Sequence, residues 1–472
     1  MTLLREAEVE GRRVDVRITA GQVAEIGVGL PLRPGEDVID AHGGALIPGL
    51  TDHHLHLNAL AAHQRSVGCG PRAAPNPGAL AEVLAGAPAD EHGWVRGVGY
   101  HTSTAGDLDA KTLTTLHAAR PTRIQHRSGA LWIVNHNAAK RLGLATADHP
   151  GIERDTNGHP TGRLWRADDW LRTRLPRSGP PDLTPVGARL ARLGITAVTD
   201  ATPDLDNAAL DAIAAAVATR ALPQHVHLLG VPLHQPAPQG TTTGPYKIVL
   251  ADSALPDLDT LTDTIHTAHT AGRAVAVHCV TREALVLLLA ALNDAGSRPD
   301  DRIEHAALLP TELLPTLAHK RLRIVTQPGF LADRGDDYLR DLPTADHPDL
   351  YRCQSLISAG IPLALSSDAP YGPLDPWQVI HTATHRRTPT GHIAGPAERL
   401  DPATALDAYL TPPDDPGGTP RRIHPGTPAD LVLLDQPLTA VLHEPTADRV
   451  RATFTRSDQP LHTTTRQPEH RF

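Results

Sequence analysis

The sequence has 472 residues, of which 40% are hydrophobic and 21% are charged, and its formal net charge is -9. This length and composition are typical of a globular protein with one large domain and a smaller one. Lysine and arginine form no basic stripe and no apolar run is long enough to cross a bilayer, so we expect neither nucleic acid nor a membrane as a partner.

The cysteines and the first residues bear on the cellular compartment. Cys69, Cys279 and Cys353 are widely spaced, which argues against a disulfide framework. The start, Met-Thr-Leu-Leu-Arg-Glu-Ala-Glu, lacks the basic region and the apolar stretch of a signal peptide. We therefore expect a cytoplasmic protein.

Short alternating stretches at both ends of the chain predict β-strands separated by Gly and Pro turns. The predicted strands are Val14–Ile18, Gln22–Ile26, Val38–Asp40, Ala429–Asp435 and Val450–Thr455. Because the middle of the chain has a different character, we expect residues 1–47 and 410–472 to form one small β-sandwich module built from both termini.

The first stretch that suggests chemistry follows Pro48 and Gly49. A predicted strand there ends in Asp52-His53-His54-Leu55-His56. Side chains alternate along a strand, so His54 and His56 share one face, where two imidazoles can converge on a metal ion. The chain contains 28 histidines, and this pair alone fits a metal site and a chance occurrence equally well.

Residues 63–190 show little regular alternation and are rich in Gly, Pro, Arg and His. Within them we predict strands at Trp94–Tyr100 and Thr122–His126 and a helix at Asn137–Leu142. Such a stretch is too long for an ordinary loop. We therefore expect it to be a large insertion after the first strand of the main domain.

From Gly194 onward, apolar strands alternate with amphipathic helices. The strands are predicted at Ile195–Thr199, Val226–Leu229, Tyr246–Leu250, Ala274–His278, Arg302–His305, Arg323–Thr326 and Pro362–Ser366, and the clearest helices at Leu258–Thr270, Arg282–Asn293 and Leu350–Ala359. With the strand that ends in the His pair, this makes eight β/α units, which predict an α/β fold with a (β/α)8 TIM barrel over residues 48–409. The alternative is a doubly wound open sheet, but the chain lacks the Gly-rich phosphate turn that would support it.

Polar residues at the carboxyl ends of barrel strands face one shared mouth. At these ends the sequence places His54 and His56, Lys247, His278, His305 and Asp368. His278 or His305 alone would be better explained as a core histidine. Together, four imidazoles and a carboxylate suffice for one or two divalent ions, zinc above all.

Lys247 stands out because the chain has only four lysines and this one lies in an apolar strand. A lysine with a lowered pKa can react with carbon dioxide to give a carbamate, which can bridge two metal ions as a carboxylate does. The alternative is a buried ion pair, or a side chain that reaches along apolar surface to water.

These motifs together resemble the amidohydrolase superfamily, and within it amidohydrolase family 3, the YtcJ-like proteins related to N-substituted formamide deformylase. The resemblance covers most of the chain. It is carried by Pro48–His56, by Lys247 with Asp252 and Ser253 after it, by Arg302–His305, by Ser367–Pro370 and by Gly426–Val432.

The resemblance implies metal ligands at His54, His56, His278, His305 and Asp368, and it aligns Lys247 with the lysine that is carbamylated in two-metal members. The chain departs from the usual pattern at Cys279–Arg282 and at Arg127–Ala130, which bears on substrate identity. Weaker candidates for substrate contact, each of which could equally be structural, are His126, Arg127, Trp132, Asp252, Gln327 and Tyr371.

The expected activity is hydrolysis of a C–N bond in an amide-like small molecule by a metal-activated hydroxide, with Asp368 as proton shuttle. The insertion is expected to cover the barrel mouth and set substrate choice. Two alternatives are a deaminase or isomerase on the same site and a non-catalytic scaffold, although a scaffold should have lost at least one of the six positions. A homodimer is a further expectation.

Overall fold

The computed structural model describes residues 1–176, 179–252 and 254–463. Ser253, together with parts of the predicted insertion and of the predicted C-terminal segment, lies outside the described residues. The strands are β1 (Thr2–Val9), β2 (Arg12–Thr19), β3 (Gln22–Gly27), β4 (Asp37–Asp40), β5 (Leu46–Pro48), β6 (Leu50–Leu55), β7 (Val67–Gly68), β8 (Val95–Tyr100), β9 (Thr122–His126), β10 (Leu131–Val134), β11 (Ile152–Arg154), β12 (Pro160–Trp165), β13 (Ile195–Asp200), β14 (His225–Leu228), β15 (Thr241–Thr243), β16 (Tyr246–Val249), β17 (Val275–Cys279), β18 (Arg302–His305), β19 (Arg323–Thr326), β20 (Leu363–Leu365), β21 (Leu431–Leu434), β22 (Val450–Phe454) and β23 (His462–Thr463).

The helices are α1 (Leu57–Gln64), α2 (Pro77–Ala85), α3 (Thr102–Ala105), α4 (Ala110–Leu116), α5 (His136–Leu142), α6 (Asp168–Arg174), α7 (Thr184–Arg192), α8 (Asn207–Ala218), α9 (Leu258–Thr270), α10 (Arg282–Ala295), α11 (Leu314–His319), α12 (Gly329–Asp341), α13 (Gln354–Ser358), α14 (Pro376–His385), α15 (Pro402–Leu410) and α16 (Leu438–His443). The fold is therefore α/β, as the sequence predicted. Among the described residues, none of these helices combines the length and the apolar character needed to cross a membrane.

The chain divides into two compact units, one of residues 1–57 and 182–472 and the other of residues 58–181. The first unit contains two parallel sheets, with strand orders β15-β14-β13-β6 and β16-β17-β18-β19-β20. Backbone hydrogen bonds connect the two sheets at two places. Lys247 N in β16 donates to Leu229 O after β14, at 3.3 Å, and Asp368 N after β20 donates to His54 O in β6, at 2.8 Å.

The terminal strands of the first unit form two further four-stranded sheets, with orders β3-β2-β1-β4 and β23-β22-β21-β5. The two sheets bury a common apolar core, to which the N-terminal segment contributes Val16 and Ile18 and the C-terminal segment contributes Leu433 and Phe454. The two ends of the chain therefore fold against each other, and β5 leads from this core directly into β6.

The second unit has a six-stranded mixed sheet of order β11-β12-β10-β9-β8-β7. One apolar cluster includes Leu80 and Ile124, and another includes Trp132 and Leu164. The unit therefore has apolar cores of its own, which an ordinary loop lacks.

One helix and one strand illustrate where the elements differ from the sequence-based expectation. The helix predicted at Leu350–Ala359 is wrong in its first half, since α13 begins only at Gln354. Tyr351 has φ of +42°, which a right-handed helix cannot contain. Strand β1 was not predicted at all, although Thr2–Val9 pairs with both β2 and β4.

Candidate metal centre

Strand β6 delivers the two histidines of the first motif. All six of its residues are buried, and His54 is its penultimate residue. His56 follows the strand end, where its backbone N donates to Ala369 O at 2.9 Å. The two imidazole rings meet edge to face with centroids 5.4 Å apart, so the alternation of the strand brings both rings to the same place.

Asp368 reaches these rings from the segment after β20. Its Oδ1 lies 3.5 Å from His54 Nε2 and 3.3 Å from His56 Nε2. The three ligand atoms all lie within 4.8 Å of one another. Two imidazole nitrogens and a carboxylate oxygen at this spacing could hold a divalent metal ion.

His278 and His305 adjoin this cluster at the ends of β17 and β18. Their ring centroids are 4.4 Å apart, and the His305 ring lies 4.8 Å from that of His54. His305 has φ of +73°, so it leaves the extended conformation at the end of its strand. Its Nδ1 donates to Gln327 Oε1 at 2.8 Å.

Lys247 is buried in β16, and its Nζ has no hydrogen-bond partner within residues 1–176, 179–252 and 254–463. Burial lowers the pKa of this amine, and the nearby charges of Glu304 and Asp368 only partly oppose that effect. A buried amine without a hydrogen-bond partner costs less free energy as the neutral base than as the ammonium ion.

Two of the imidazoles, those of His54 and His305, are held neutral. Burial is the largest cause that lowers the pKa of His54 and of His305 well below the usual histidine value. A proton on Lys247 would lower the pKa of His54 further, and a proton on His278 would do the same to the pKa of His305. A neutral imidazole keeps one nitrogen lone pair, which is the form that binds a metal.

Comparison with known proteins identifies the family. The model of the amidohydrolase family matches residues 37–457. The chain belongs to the amidohydrolase family. The resemblance found in the sequence is thereby confirmed, and with it the prediction that the chain is a hydrolase.

Two relatives and one solved structure illustrate the likeness. The chain is 25% identical to N-substituted formamide deformylase of Arthrobacter pascens, over 89% of this chain and 90% of that protein. It is 25% identical to YtcJ of Bacillus subtilis (strain 168), over 75% of this chain and 76% of that protein. An uncharacterized metal-dependent hydrolase from Pyrococcus horikoshii OT3 superposes with a TM-score of 0.72 at 20% identity, over 92% of this chain and 97% of that one, which shows a shared fold.

The weaker substrate-contact candidates in the first unit have differing surroundings. The Tyr371 ring lies 5.5 Å from that of His56 and is half-buried. Gln327 is fully buried and touches His305, while Asp252 accepts a hydrogen bond from Thr281 Oγ1 at 2.8 Å. Of these three, Tyr371 is therefore the one placed beside the cluster with its side chain partly accessible.

The other three candidates lie in the second unit. Trp132 is buried there and donates to Asp168 Oδ1 at 2.8 Å, and the guanidinium carbons of Arg96 and Arg123 each lie 5.2 Å from its ring centroid. His126 ends β9 and accepts from Ser128 N at 3.2 Å, and Arg127 follows it, half-buried. The described contacts of Trp132 are thus with residues of its own unit, whereas Arg127 is partly accessible.

Sequence reasoning gave no role to Glu304, which is fully buried and accepts a hydrogen bond from His54 Nδ1. Its other oxygen accepts from Arg302 Nε at 2.5 Å. A signal was present in the sequence, because Arg302 and Glu304 are opposite charges at alternate positions of a short buried strand. Two such charges on one face of a strand can be buried only if they pair.

Proposed function

We propose that this chain is a metal-dependent amidohydrolase that hydrolyses a C–N bond of a small amide-like molecule. The observation that carries the proposal is the cluster of His54, His56 and Asp368, whose ligand atoms lie within 4.8 Å of one another. The name of the Arthrobacter pascens relative, N-substituted formamide deformylase, supports a substrate with an amide-like C–N bond.

The residues present fit a divalent metal ion. The cluster combines imidazole nitrogens with a carboxylate oxygen, a donor set that suits zinc, and burial keeps two of the rings neutral. The proposed ligands are His54, His56, His278, His305 and Asp368. An ion held there would polarise the substrate carbonyl and lower the pKa of water.

Asp368 is proposed to move the proton. Its carboxylate lies between the rings of the site, with Oδ1 3.3 Å from His56 Nε2 and Oδ2 4.0 Å from His305 Nδ1. The side chain keeps 11% exposure, so water and substrate can approach it. Asp368 accepts a proton from the attacking water and returns it to the leaving nitrogen, which departs as a neutral amine.

Lys247 is proposed to carry a carbamate when two metal ions are bound. The neutral amine attacks carbon dioxide, a C–N bond forms, one N–H proton is released, and the product is an anionic carbamate. Burial lowers the pKa of Lys247, and its Nζ lacks a hydrogen-bond partner among the described residues. Both features favour this reaction.

The finer architecture is also part of the proposal. Eight of the nine strands in the two parallel sheets, all except the short β15, are proposed to form one (β/α)8 barrel over residues 48–409, because backbone hydrogen bonds join the sheets at Lys247 and at Asp368. The terminal sheets are proposed to form a β-sandwich module from residues 1–47 and 410–472, because they share one core. The insertion, residues 63–190, is proposed to set substrate choice.

The test is a substrate panel combined with metal analysis. Protein purified without chelator is expected to contain one to two equivalents of metal, with zinc predominant, and to hydrolyse at least one member of a panel of N-formyl, N-acyl and cyclic-imide compounds. Esters of matched acyl groups serve as controls for the C–N preference. A metal content near zero, with no activation by zinc, manganese, cobalt or iron, would refute the proposal.

A further inference from the structure

Glu304 connects a proposed metal ligand to a buried arginine. One carboxylate oxygen accepts from His54 Nδ1 and the other accepts from Arg302 Nε at 2.5 Å. Arg302 is itself anchored, because one of its terminal nitrogens donates to His53 O at 3.3 Å. Arg302 and Glu304 have at most 1% exposure, so water does not compete for these bonds.

These bonds decide which nitrogen of His54 carries the proton. A carboxylate only accepts hydrogen bonds and a guanidinium only donates them. The Arg302–Glu304 pair therefore presents an acceptor to His54, and the proton of the neutral ring must be on Nδ1. The lone pair is then on Nε2, the nitrogen that lies 3.5 Å from Asp368 Oδ1.

The backbone lets Glu304 and its neighbour serve the same centre. In an extended strand, successive side chains point to opposite faces. His305 departs from this rule, since its φ of +73° lies in the left-handed region, and its ring comes within 4.8 Å of the His54 ring. Glu304 can thus contact Nδ1 of His54 while the ring of His305, the next residue, lies beside the ring of His54.

We propose that Glu304 is a positioning residue that fixes the tautomer of His54 and presents its Nε2 to the metal. This inference rests on the proposed metal site. Hydrogen bonds of this kind also hold the ring in orientation, and their loss typically lowers metal affinity by about 10- to 100-fold.

The decisive variant is Glu304→Gln, which nearly keeps the shape of the side chain. The amide oxygen must face Arg302 Nε, because the amide nitrogen would place a donor against a donor there. The amide NH2 then faces His54 Nδ1 and donates to it, which moves the ring proton to Nε2. We expect the cobalt affinity, measured by competition with a chelator, to fall about 10- to 100-fold.

Glu304→Asp separates positioning from packing. Aspartate is one methylene shorter and leaves more empty space, but it still offers His54 only acceptors. A tautomer role predicts that Glu304→Asp binds cobalt more tightly than Glu304→Gln, whereas a packing role predicts the reverse order. If Glu304→Gln does not fold, Glu304→Asp is still expected to bind within about tenfold of wild type, and a loss beyond about 100-fold refutes the inference.

Glu398 supplies the matched control. It is also a buried glutamate paired with an arginine, since Arg352 Nη1 donates to its Oε1 at 2.8 Å. Its other hydrogen-bond donors among the described residues, Cys353 and Ser355, lie outside the proposed ligand set. Glu398→Gln is expected to lower thermal stability without changing cobalt affinity. If the wild-type protein binds cobalt and the cobalt affinity of Glu304→Gln is within threefold of the wild-type value, this inference alone is refuted. If the wild-type protein binds no metal, the proposed function is refuted as well.

Discussion

We propose two roles for the carboxylate of Asp368, binding a metal and moving a proton. This residue follows β20 in the left-handed region, with φ of +54°, and its backbone N donates to His54 O at 2.8 Å. This conformation is unfavourable for a residue with a side chain. The bond to His54 offsets part of that cost and ties the carboxylate to the strand that bears the histidines.

Asp368→Asn tests the proton-transfer role. The amide nearly keeps the shape but cannot act as a base, so we expect turnover to fall about 10²- to 10⁴-fold. Most of the metal should remain, because the other proposed ligands are intact. The measurements are turnover on a substrate from the panel and metal content. Asp211→Asn, on the exposed face of α8, is the control, and near-normal turnover in Asp368→Asn with metal retained would reduce Asp368 to a ligand.

Lys247→Ala tests the carbamate. We expect metal content and activity to fall together, because the bridging group is lost, and added formate or acetate should partly restore both. Lys320→Ala is the matched control, since the Lys320 amine donates to Leu292 O at 3.2 Å on α10 and should be dispensable. A guanidinium cannot form the bridge, so full activity and two metals in Lys247→Arg would contradict the carbamate.

At the scale of elements, the junction of β6 with the segment after β20 organises the site. Asp52 Oδ1 accepts from His54 N at 3.2 Å and from Ser367 N at 3.1 Å. One buried carboxylate oxygen thus connects the backbone of His54 to that of Ser367, the residue before Asp368. The hydrogen bonds from Asp368 N to His54 O and from His56 N to Ala369 O reinforce this connection.

Asp52→Ala should weaken this junction. It leaves two buried backbone donors without this acceptor, at about 1–3 kcal/mol each. We expect a lower urea midpoint of unfolding and a lower metal affinity. Asp52→Asn keeps an amide oxygen in the same place and should lose less of both. Equal losses in the two variants would show that the charge of Asp52, and not its accepted hydrogen bonds, supports the junction.

Elements were predictable where the hydrophobic period was regular. Helix α9 was predicted at its observed bounds, because the apolar residues recur at helical spacing and Asp257 caps the N-terminus by accepting from Thr260 N. Strand β1 was missed because its register shifts between Leu4 and Ala7, and Glu6 there has φ of +54°. A bulge of this kind interrupts the alternation from which strands are predicted.

At the scale of the whole molecule, the six proposed metal-site residues all lie in the first unit, while Arg127 and Trp132 lie in the second. Trp132→Ala removes a buried ring and should destabilise the second unit by about 3–5 kcal/mol. Metal content should be unchanged. Thermal unfolding with metal analysis is the measurement, and loss of metal from a folded Trp132→Ala protein would contradict this independence.

Arg127→Ala is the companion variant for substrate choice. Arg127 is half-buried and follows β9, and its backbone N donates to Tyr100 O at 2.9 Å, so truncating its side chain leaves this backbone bond in place. We expect the order of preference across the substrate panel to change while stability and metal content stay the same. An unchanged order would argue that Arg127 does not contact substrate.

The sequence by itself determined the α/β alternation, the family, and the residue types at the ends of the strands, because strand period and ligand chemistry are local properties of the chain. Only the tertiary structure decided which nitrogens face Asp368 and which face Glu304 and Gln327. His54 and Glu304 are 250 positions apart, and no local pattern specifies that contact. The left-handed φ of His305 and Asp368 likewise depends on surrounding packing, since isolated residues of these types favour other conformations.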